Sequence, residues 1–395
     1  MAKPSSKPAR LTTQKPGAAG KTRIASNLTA TGQSRQLPAQ SQDLAGLRAR
    51  LLAWYAANRR DLPWRRSTDP YAIWVSEIML QQTRVAVVVE RYQAFLGRFP
   101  TLESLAAAAE QDVLALWSGL GYYRRARMLH KAAQFIADQQ LSTLPSSAEE
   151  LRKLPGIGAY TAAAIASIAF GEAVAVVDGN VERVLSRLQG WEFSAGGEAA
   201  LQRRIHDLAA RLLDPAQPGD FNQAMMELGA TVCLPRNPQC LVCPLAAECK
   251  TKGEHATAPR APMVSREVAH ALSVRTGRQD GPASREVLLE QRPASVTVMP
   301  GMWQLPVLKQ AAVPDDQLRM NLRHAIMQVN YYARIRTVFE DDVDALTVAG
   351  GKRRWVPLGE AEGMALTGLT RKVLARAHLL TAAPLDAIAP RTAGT

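Results

Sequence analysis

Two carboxylic acids and four cysteines carry most of the chemistry legible in this 395-residue chain. Glu77 stands in Tyr71-Ala72-Ile73-Trp74-Val75-Ser76-Glu77-Ile78-Met79-Leu80, the one carboxylate of an almost wholly apolar helical run. Burial disfavours the ionised form, so such a group keeps its proton toward neutral pH and can serve as a general acid. A solvent-facing Glu on an amphipathic helix is the alternative; apolar neighbours on both sides and the adjoining Gln81-Gln82-Thr83 argue against it. Asp178, in Val176-Val177-Asp178-Gly179-Asn180-Val181, directly precedes a second helical run, where a plain N-cap role would explain it. All four cysteines fall in Cys233-x6-Cys240-x2-Cys243-x5-Cys249, too close together for chance core residues. Disulfides are not expected without a secretory signal. A four-thiolate zinc site remains open, although its usual sign is two CxxC pairs and one occurs here. Thiolates at these gaps can instead enclose a [4Fe–4S] cube.

Around these residues the chain offers surfaces suited to a polyanion. Leu154-Pro155-Gly156-Ile157-Gly158-Ala159-Tyr160-Thr161 reads as a tight turn between two helices, Ala148 to Lys153 and Tyr160 to Phe170. Glycines allow close approach of another backbone, and the first N–H groups of the second helix are free for a phosphate. A plain helix connection is the competing reading. Arg60-Asp61-Leu62-Pro63-Trp64-Arg65 places an aromatic amid arginines where Pro63 ends helical structure, which suits either a nucleobase site or a Trp closing a core edge. Gly119-Leu120-Gly121-Tyr122-Tyr123-Arg124-Arg125-Ala126-Arg127 sets tyrosines beside three arginines, a combination that can wedge into a base step and hold phosphates, or simply start a helix with a basic face.

With both the LPGxG turn and a later aspartate present, the chain resembles the helix-hairpin-helix DNA glycosylases. Bifunctional members such as the endonuclease III group carry an attacking lysine where Tyr160 stands. Ser76-Glu77-Ile78-Met79-Leu80-Gln81-Gln82-Thr83 is similar to the SExMLQQT motif of MutY-type adenine DNA glycosylases, whose cysteine spacing is also the one found here. The resemblance implies Glu77 as catalytic acid and Asp178 as the carboxylate that stabilises a cationic sugar. It implies Arg60, Leu62, Trp64, Arg65 and Glu227 at an adenine pocket, and Gln82 and Tyr122 as residues that enter the base stack. Gly156, Gly158, Tyr160 and Asn180 are implied at the substrate or DNA. Cys233, Cys240, Cys243 and Cys249 would bind a [4Fe–4S] cluster. With no amine at Tyr160, strand cleavage by Schiff-base chemistry is expected to be weak or absent.

The expected organisation is an all-α helix-hairpin-helix glycosylase domain with an Fe–S cluster, followed by a smaller α+β Nudix-like domain. Residues 1–42 hold seven Lys or Arg and no acid, and are expected to be a disordered basic tail, inert or DNA-tethering. The glycosylase domain should occupy 43–250, a linker 251–266, the Nudix-like domain 267–382, and a disordered tail 383–395. Strands are expected at Ala269 to Val274, Val287 to Gln291, up to Pro306, and Asn330 to Val338, with a closing helix from Thr370 to Leu380. The Nudix hydrolase signature is missing, so no diphosphatase activity is expected. In MutY-type relatives this domain reads 8-oxoguanine with a Phe-Ser-His-like loop; the corresponding segment, His324 to Val329, lacks that serine and histidine.

The formal net charge of +13 favours a polyanionic partner. No run of eighteen apolar residues occurs, so no membrane span is expected. A cytoplasmic, nucleoid-associated monomer is the expectation, acting on double-stranded DNA with adenine opposite 8-oxoguanine or guanine. A related thymine or oxidised-pyrimidine glycosylase, and a non-catalytic DNA-binding protein, are the alternatives; the residue at 160 speaks against the first, the retention of both Glu77 and Asp178 against the second.

Overall fold

The computed structural model describes residues 43–191, 198–255, 262–277 and 285–380. The tails expected at 1–42 and 383–395 lie outside the described residues. From Leu44 the described chain is helical as far as Thr231: α1 (Leu44–Asn58), α2 (Pro70–Leu80), α3 (Val85–Arg98), α4 (Leu102–Ala106), α5 (Glu110–Leu116), α6 (Arg124–Asp138), α7 (Ala148–Leu151), α8 (Ala159–Phe170), α9 (Gly179–Gln189), α10 (Glu198–Leu212) and α11 (Pro218–Thr231). None of the described helices is long and apolar enough to cross a membrane.

The pivotal element is α2. Asp69 caps it by accepting from the N–H groups of Tyr71 and Ala72, and Pro70 starts it where a missing N–H costs nothing. Every residue from Tyr71 to Met79 is buried, as an all-round apolar composition requires. One core, with Trp74, Phe95, Phe99, Trp117 and Ile136, packs α2 against α3, α5 and α6. A second, with Leu47, Leu51, Leu185, Leu208 and Leu228, joins α1, α9, α10 and α11. Helix α8 bridges the two: it packs on α2 and α11, and its Ala163 and Ala164 meet Val176.

The helix expected from Ala148 to Lys153 is a single turn. Ser147 caps α7, but Pro155 disfavours helical backbone in the residue before it, so the chain passes through turns to Gly156. Gly156 has φ 78°, and a Cβ there would lie 2.4 Å from Met128 Cβ. Gly158, the N-cap of α8, has extended backbone and nothing within 4 Å of where its Cβ would sit. The fold itself therefore demands the first glycine and leaves the second facing open space.

The C-terminal part is α+β. Its strands are β1 (Val264–Leu272), β2 (Val274–Thr276), β3 (Arg285–Gln291), β4 (Trp303–Gln304), β5 (Leu318–Ile326), β6 (Val329–Thr337) and β7 (Arg353–Pro357), with α12 (Val343–Leu346), α13 (Leu358–Glu362) and α14 (Gly368–Arg376). One sheet runs β1-β6-β5, with β1 parallel and β5 antiparallel to β6; the other runs β2-β3-β4, with β7 also paired to β3. Strand β1 begins inside the 251–266 stretch expected as a linker, and the closing helix stops at Arg376. Strands β5 and β7, and β2 beyond Val274, lie outside the stretches expected as strands. The His324–Val329 segment, expected as a recognition loop, is the end of β5, a two-residue turn at Met327-Gln328, and the start of β6. Met327 takes φ 53° at that tip and is largely exposed.

This region docks on the helices through polar contacts and two inserted side chains. Arg371 donates to Ser118 Oγ at 2.7 Å, Tyr123 Oη lies 3.5 Å from the Leu366 carbonyl, and Met302 and Ala365 bury in the α2 core. Gly156→Ala should lose about 3 kcal/mol in urea unfolding, through left-handed strain plus overpacking against Met128. Gly158→Ala should lose no more than about 1 kcal/mol. Equal losses would contradict the assignment of the two glycines.

Candidate active site

The described residues form a cleft of about 810 Å³ where α2, α8, α9 and α11 meet the Arg60–Arg65 loop. Residues as far apart in the chain as Arg60 and Ala230 line it, so the cleft exists only in the folded molecule. Glu77 reaches it from α2 and is 5% exposed. Its carboxyl accepts a 2.7 Å hydrogen bond from the Tyr160 hydroxyl on α8. Burial pushes the Glu77 carboxyl up to about 7; Asp178 adds to the rise, while the Tyr160 hydrogen bond and Arg65 oppose it. The Tyr160 phenol is itself raised well above its usual range by burial and by Glu77, so it stays a donor. Tyr160 thus contributes a hydrogen bond to the Glu77 carboxyl.

Asp178 is the N-cap of α9 and also lines the cleft. It caps α9, accepting from Asn180 N at 2.9 Å and Val181 N at 2.7 Å, and also from Asn180 Nδ2 at 3.0 Å. The same residue lines the cleft together with Glu77.

On the other wall Glu227, 1% exposed, binds two arginines. Arg60 grips it with Nε at 2.8 Å and Nη2 at 2.7 Å, and Arg65 Nη2 lies at 2.8 Å. Burial alone would raise this carboxyl, but the hydrogen bonds from Arg60 and Arg65 bring it down to about 2. Glu227, expected to touch a base, has both carboxylate oxygens engaged and orients the two arginines. Arg65 also lies over the Tyr55 ring, 5.5 Å from its centroid. Leu62 and Trp64 are buried yet line the cleft, and Trp64 stands edge-on to Tyr92 with centroids 5.5 Å apart. Trp64 is therefore both core edge and cleft wall.

Gln82, Gly156, Gly158 and Asn180 also line the cleft; Tyr122 does not. It sits on the turn before α6, nearly half exposed. Of the three arginines that follow it, Arg124 alone is exposed. Arg125 turns inward to bond the α2 end and two turns, and Arg127 pairs with Glu110. A basic run in sequence says nothing about this difference.

The four cysteines line one small cavity, with Arg187 and the backbone of Lys252 and Gly253 around it. Arg187 lies 3.4 Å from Cys233 Sγ, and Lys252 N lies 3.5 Å from Cys249 Sγ. Among the described residues no three of these side chains converge as ligands of a single ion would. Four thiols around one cavity are the donor set both of a four-thiolate zinc ion and of an iron–sulfur cube. Arg183 connects this region to the acid site. It donates to the Cys233 carbonyl at 2.8 Å and to Asn180 Oδ1 at 2.8 Å, and Asn180 in turn bonds Asp178. Sequence reasoning missed Arg183, whose only signal is its place one helical turn after Gly179.

Residues 75–227 match the HhH-GPD family, described as "HhH-GPD superfamily base excision DNA repair protein". The adenine DNA glycosylase of Homo sapiens is 46% identical over 235 residues, which are 57% of this chain and 43% of that protein. That of Mycolicibacterium smegmatis is 46% identical over 198 residues, 50% of this chain and 66% of that one. A solved thermostable thymine-DNA glycosylase is 29% identical, covering 53% of this chain and 96% of its own, with a TM-score of 0.48. The chain spans less than half the length of the human protein.

The raised Glu77 carboxyl has a consequence for stability. Its folded value lies above the unfolded one, so its contribution is fully present below about pH 4.5 and is lost as pH rises through about 7. Glu77→Gln removes the titration. The variant should gain on wild type between pH 5 and pH 8 by on the order of 3 kcal/mol in urea unfolding. A stability difference independent of pH would refute a buried, proton-holding Glu77.

Proposed function

We propose that this chain, whose residues 75–227 are an HhH-GPD domain, is an adenine DNA glycosylase of the MutY type. It hydrolyses the N-glycosidic bond of adenine opposite 8-oxoguanine or guanine in duplex DNA and leaves the strand intact. One observation carries the reading: a buried carboxyl pushed up to about 7 and a second, hydrogen-bonded carboxylate share a cleft at the head of α8.

In this reading the duplex is bent and the adenine turned out of the stack into the cleft, with Gln82 and Tyr122 occupying the gap. Unstacking costs a few kcal/mol, offset by the contacts the base gains. The hairpin offers Gly158 and the free N–H groups of α8 to the DNA backbone. Arg60 and Arg65, held by Glu227, and Leu62 and Trp64 bound the space for the base. Glu77 donates its proton to purine N7. The C1′–N9 bond then breaks, its electron pair leaving with the base. Asp178, an acceptor in all three of its hydrogen bonds, acts as the carboxylate that offsets the positive sugar. Water bonds C1′ and returns a proton to Glu77. Tyr160 keeps the Glu77 carboxyl aimed into the cleft and offers no amine for a Schiff base.

Cys233, Cys240, Cys243 and Cys249 would hold a [4Fe–4S] cluster. When bound, that group would tie the four cysteines of the 233–249 loop together. The C-terminal α+β region would act as a Nudix-like lesion reader, and the exposed Met327-Gln328 tip is its nearest candidate for contact with the opposite base. The whole acts as a monomer on nucleoid DNA in the cytoplasm.

The deciding experiment measures single-turnover base release from duplexes with adenine opposite 8-oxoguanine, adenine opposite guanine, and thymine opposite guanine. Adenine release from the first two alone supports the reading; thymine release, or none, rejects it. Glu77→Gln and Asp178→Asn should each slow release by about 10²-fold or more. Asn is as good an N-cap as Asp, so the second variant should stay folded. Release by wild type should fall about tenfold per pH unit above 7, as the Glu77 proton is lost.

The metal is tested separately. Protein purified without oxygen should be brown and contain about four irons per chain. A colourless, active preparation with one zinc per chain would reject the cluster.

A further inference from the structure

Two residues adopt left-handed backbone on either side of a single guanidinium. Gln82 has φ 56° and Tyr122 has φ 48°, conformations that side chains other than glycine avoid. Both side chains are exposed. The residue before each carries a carbonyl bonded to Arg125: Gln81 O accepts from Nη1, and Gly121 O accepts from Nη2 at 3.1 Å. Nη1 also donates to Ile78 O at 2.8 Å and Met79 O at 3.0 Å, C-terminal carbonyls of α2 that no helical N–H reaches. Nη2 also donates to Thr83 Oγ1 and Leu120 O, each at 3.0 Å. The guanidinium packs beside the rings of Trp117 and Tyr122, 5.5 and 5.6 Å from their centroids.

Every acceptor in these bonds is a backbone carbonyl or the Thr83 hydroxyl. A half-buried cation held by neutral acceptors is costly to keep. An apolar side chain would fill the space without that cost, but it could not bond two turns and a helix end at once. The planar fork of arginine can; a lysine ammonium, with all its donors on one atom, cannot span the same set.

We propose that Arg125 is a positioning residue that presets Gln82 and Tyr122 as a pair of prongs for entry into the base stack. It holds the two turns in strained backbone before DNA arrives, so little freedom is lost when the prongs insert. Arg125 touches no substrate. The inference rests on the reading of the cleft as a base-excision site and extends it from bond cleavage to the opening of the pair.

The test uses the full chain and a duplex with 2-aminopurine opposite guanine, whose fluorescence rises as that base leaves the stack. Arg125→Lys should slow this rise about tenfold or more, while duplex affinity changes by less than about threefold. Thr83→Ala, which removes one anchor and is the safer variant for folding, should show the same pattern at smaller size. Three results overturn the proposal: unstacking at the wild-type rate in both variants, excision slowed with unstacking unchanged, or affinity lost by the same factor as unstacking. In the second case Arg125 serves Glu77 through α2 instead. A wild-type chain that neither unstacks the probe nor releases adenine overturns the excision reading itself, and this inference with it. An active wild type with unaffected variants overturns the inference alone.

Discussion

The site depends on a carboxylic acid kept inside an apolar helix. Glu77 is surrounded on α2 by Ile73, Trp74, Val75, Ile78 and Met79, all buried. Nothing on that helix can neutralise it. Burial strips most of its hydration, the ionised form is disfavoured, and the proton remains toward neutral pH. The one nearby donor, the Tyr160 hydroxyl, limits the rise and fixes the direction in which the carboxyl points. Much of the helical region can be understood as the means of keeping α2 dry on one side and open to the cleft at its end.

The same cleft treats another carboxyl in the opposite way. Glu227 is as buried as Glu77, yet two arginines bring it down to about 2. Burial sets the two apart less than the charge of their partners does. One group keeps its proton toward neutral pH, and the other is an anion that holds Arg60 and Arg65 in place. Acid–base chemistry at neutral pH requires such a separation of environments. A cleft with two uncompensated carboxyls would bind a polyanion poorly, and Glu227 avoids this by being fully spent on its arginines.

Half-buried arginines recur as fasteners in this molecule. Arg125 ties the end of α2 to two turns, Arg183 ties the Cys233 loop to Asn180 and so to Asp178, and Arg371 ties the α+β region to Ser118. Each bonds mostly to backbone carbonyls left over at helix ends and turns, which must be satisfied once buried. The fork of donors makes one side chain sufficient for several carbonyls. These contacts also make the acid site sensitive to segments far from it in the chain.

Residue types and spacing single out the two carboxyls, the glycine turn and the four cysteines, whereas Arg60, Leu62, Trp64, Arg65 and Glu227 enter the site only through the family resemblance. The apolar run around Glu77 predicts its burial, the residues before α9 predict the Asp178 cap, and the cysteine spacing predicts that four thiols share a site. The glycines mark the turn before α8, because few other residues enter it. Tertiary structure decided the rest. Whether Arg124, Arg125 or Arg127 faces solvent depends on which carbonyls lie beneath α6, and those bonded by Arg125 Nη1 come from the end of α2, 44 to 47 residues earlier. That Glu227 binds two arginines follows from α11 packing against the Arg60–Arg65 loop. Gly156 and Gly158 look alike in sequence; Met128 on another helix makes only the first obligatory for the fold. Strand β5 escaped notice because its alternating Leu318, Met320 and Leu322 acquire a buried face only when β6 and the second sheet close over them. Local pattern reports what a residue can bond to, while its actual partner is set by which distant segment the hydrophobic core brings against it.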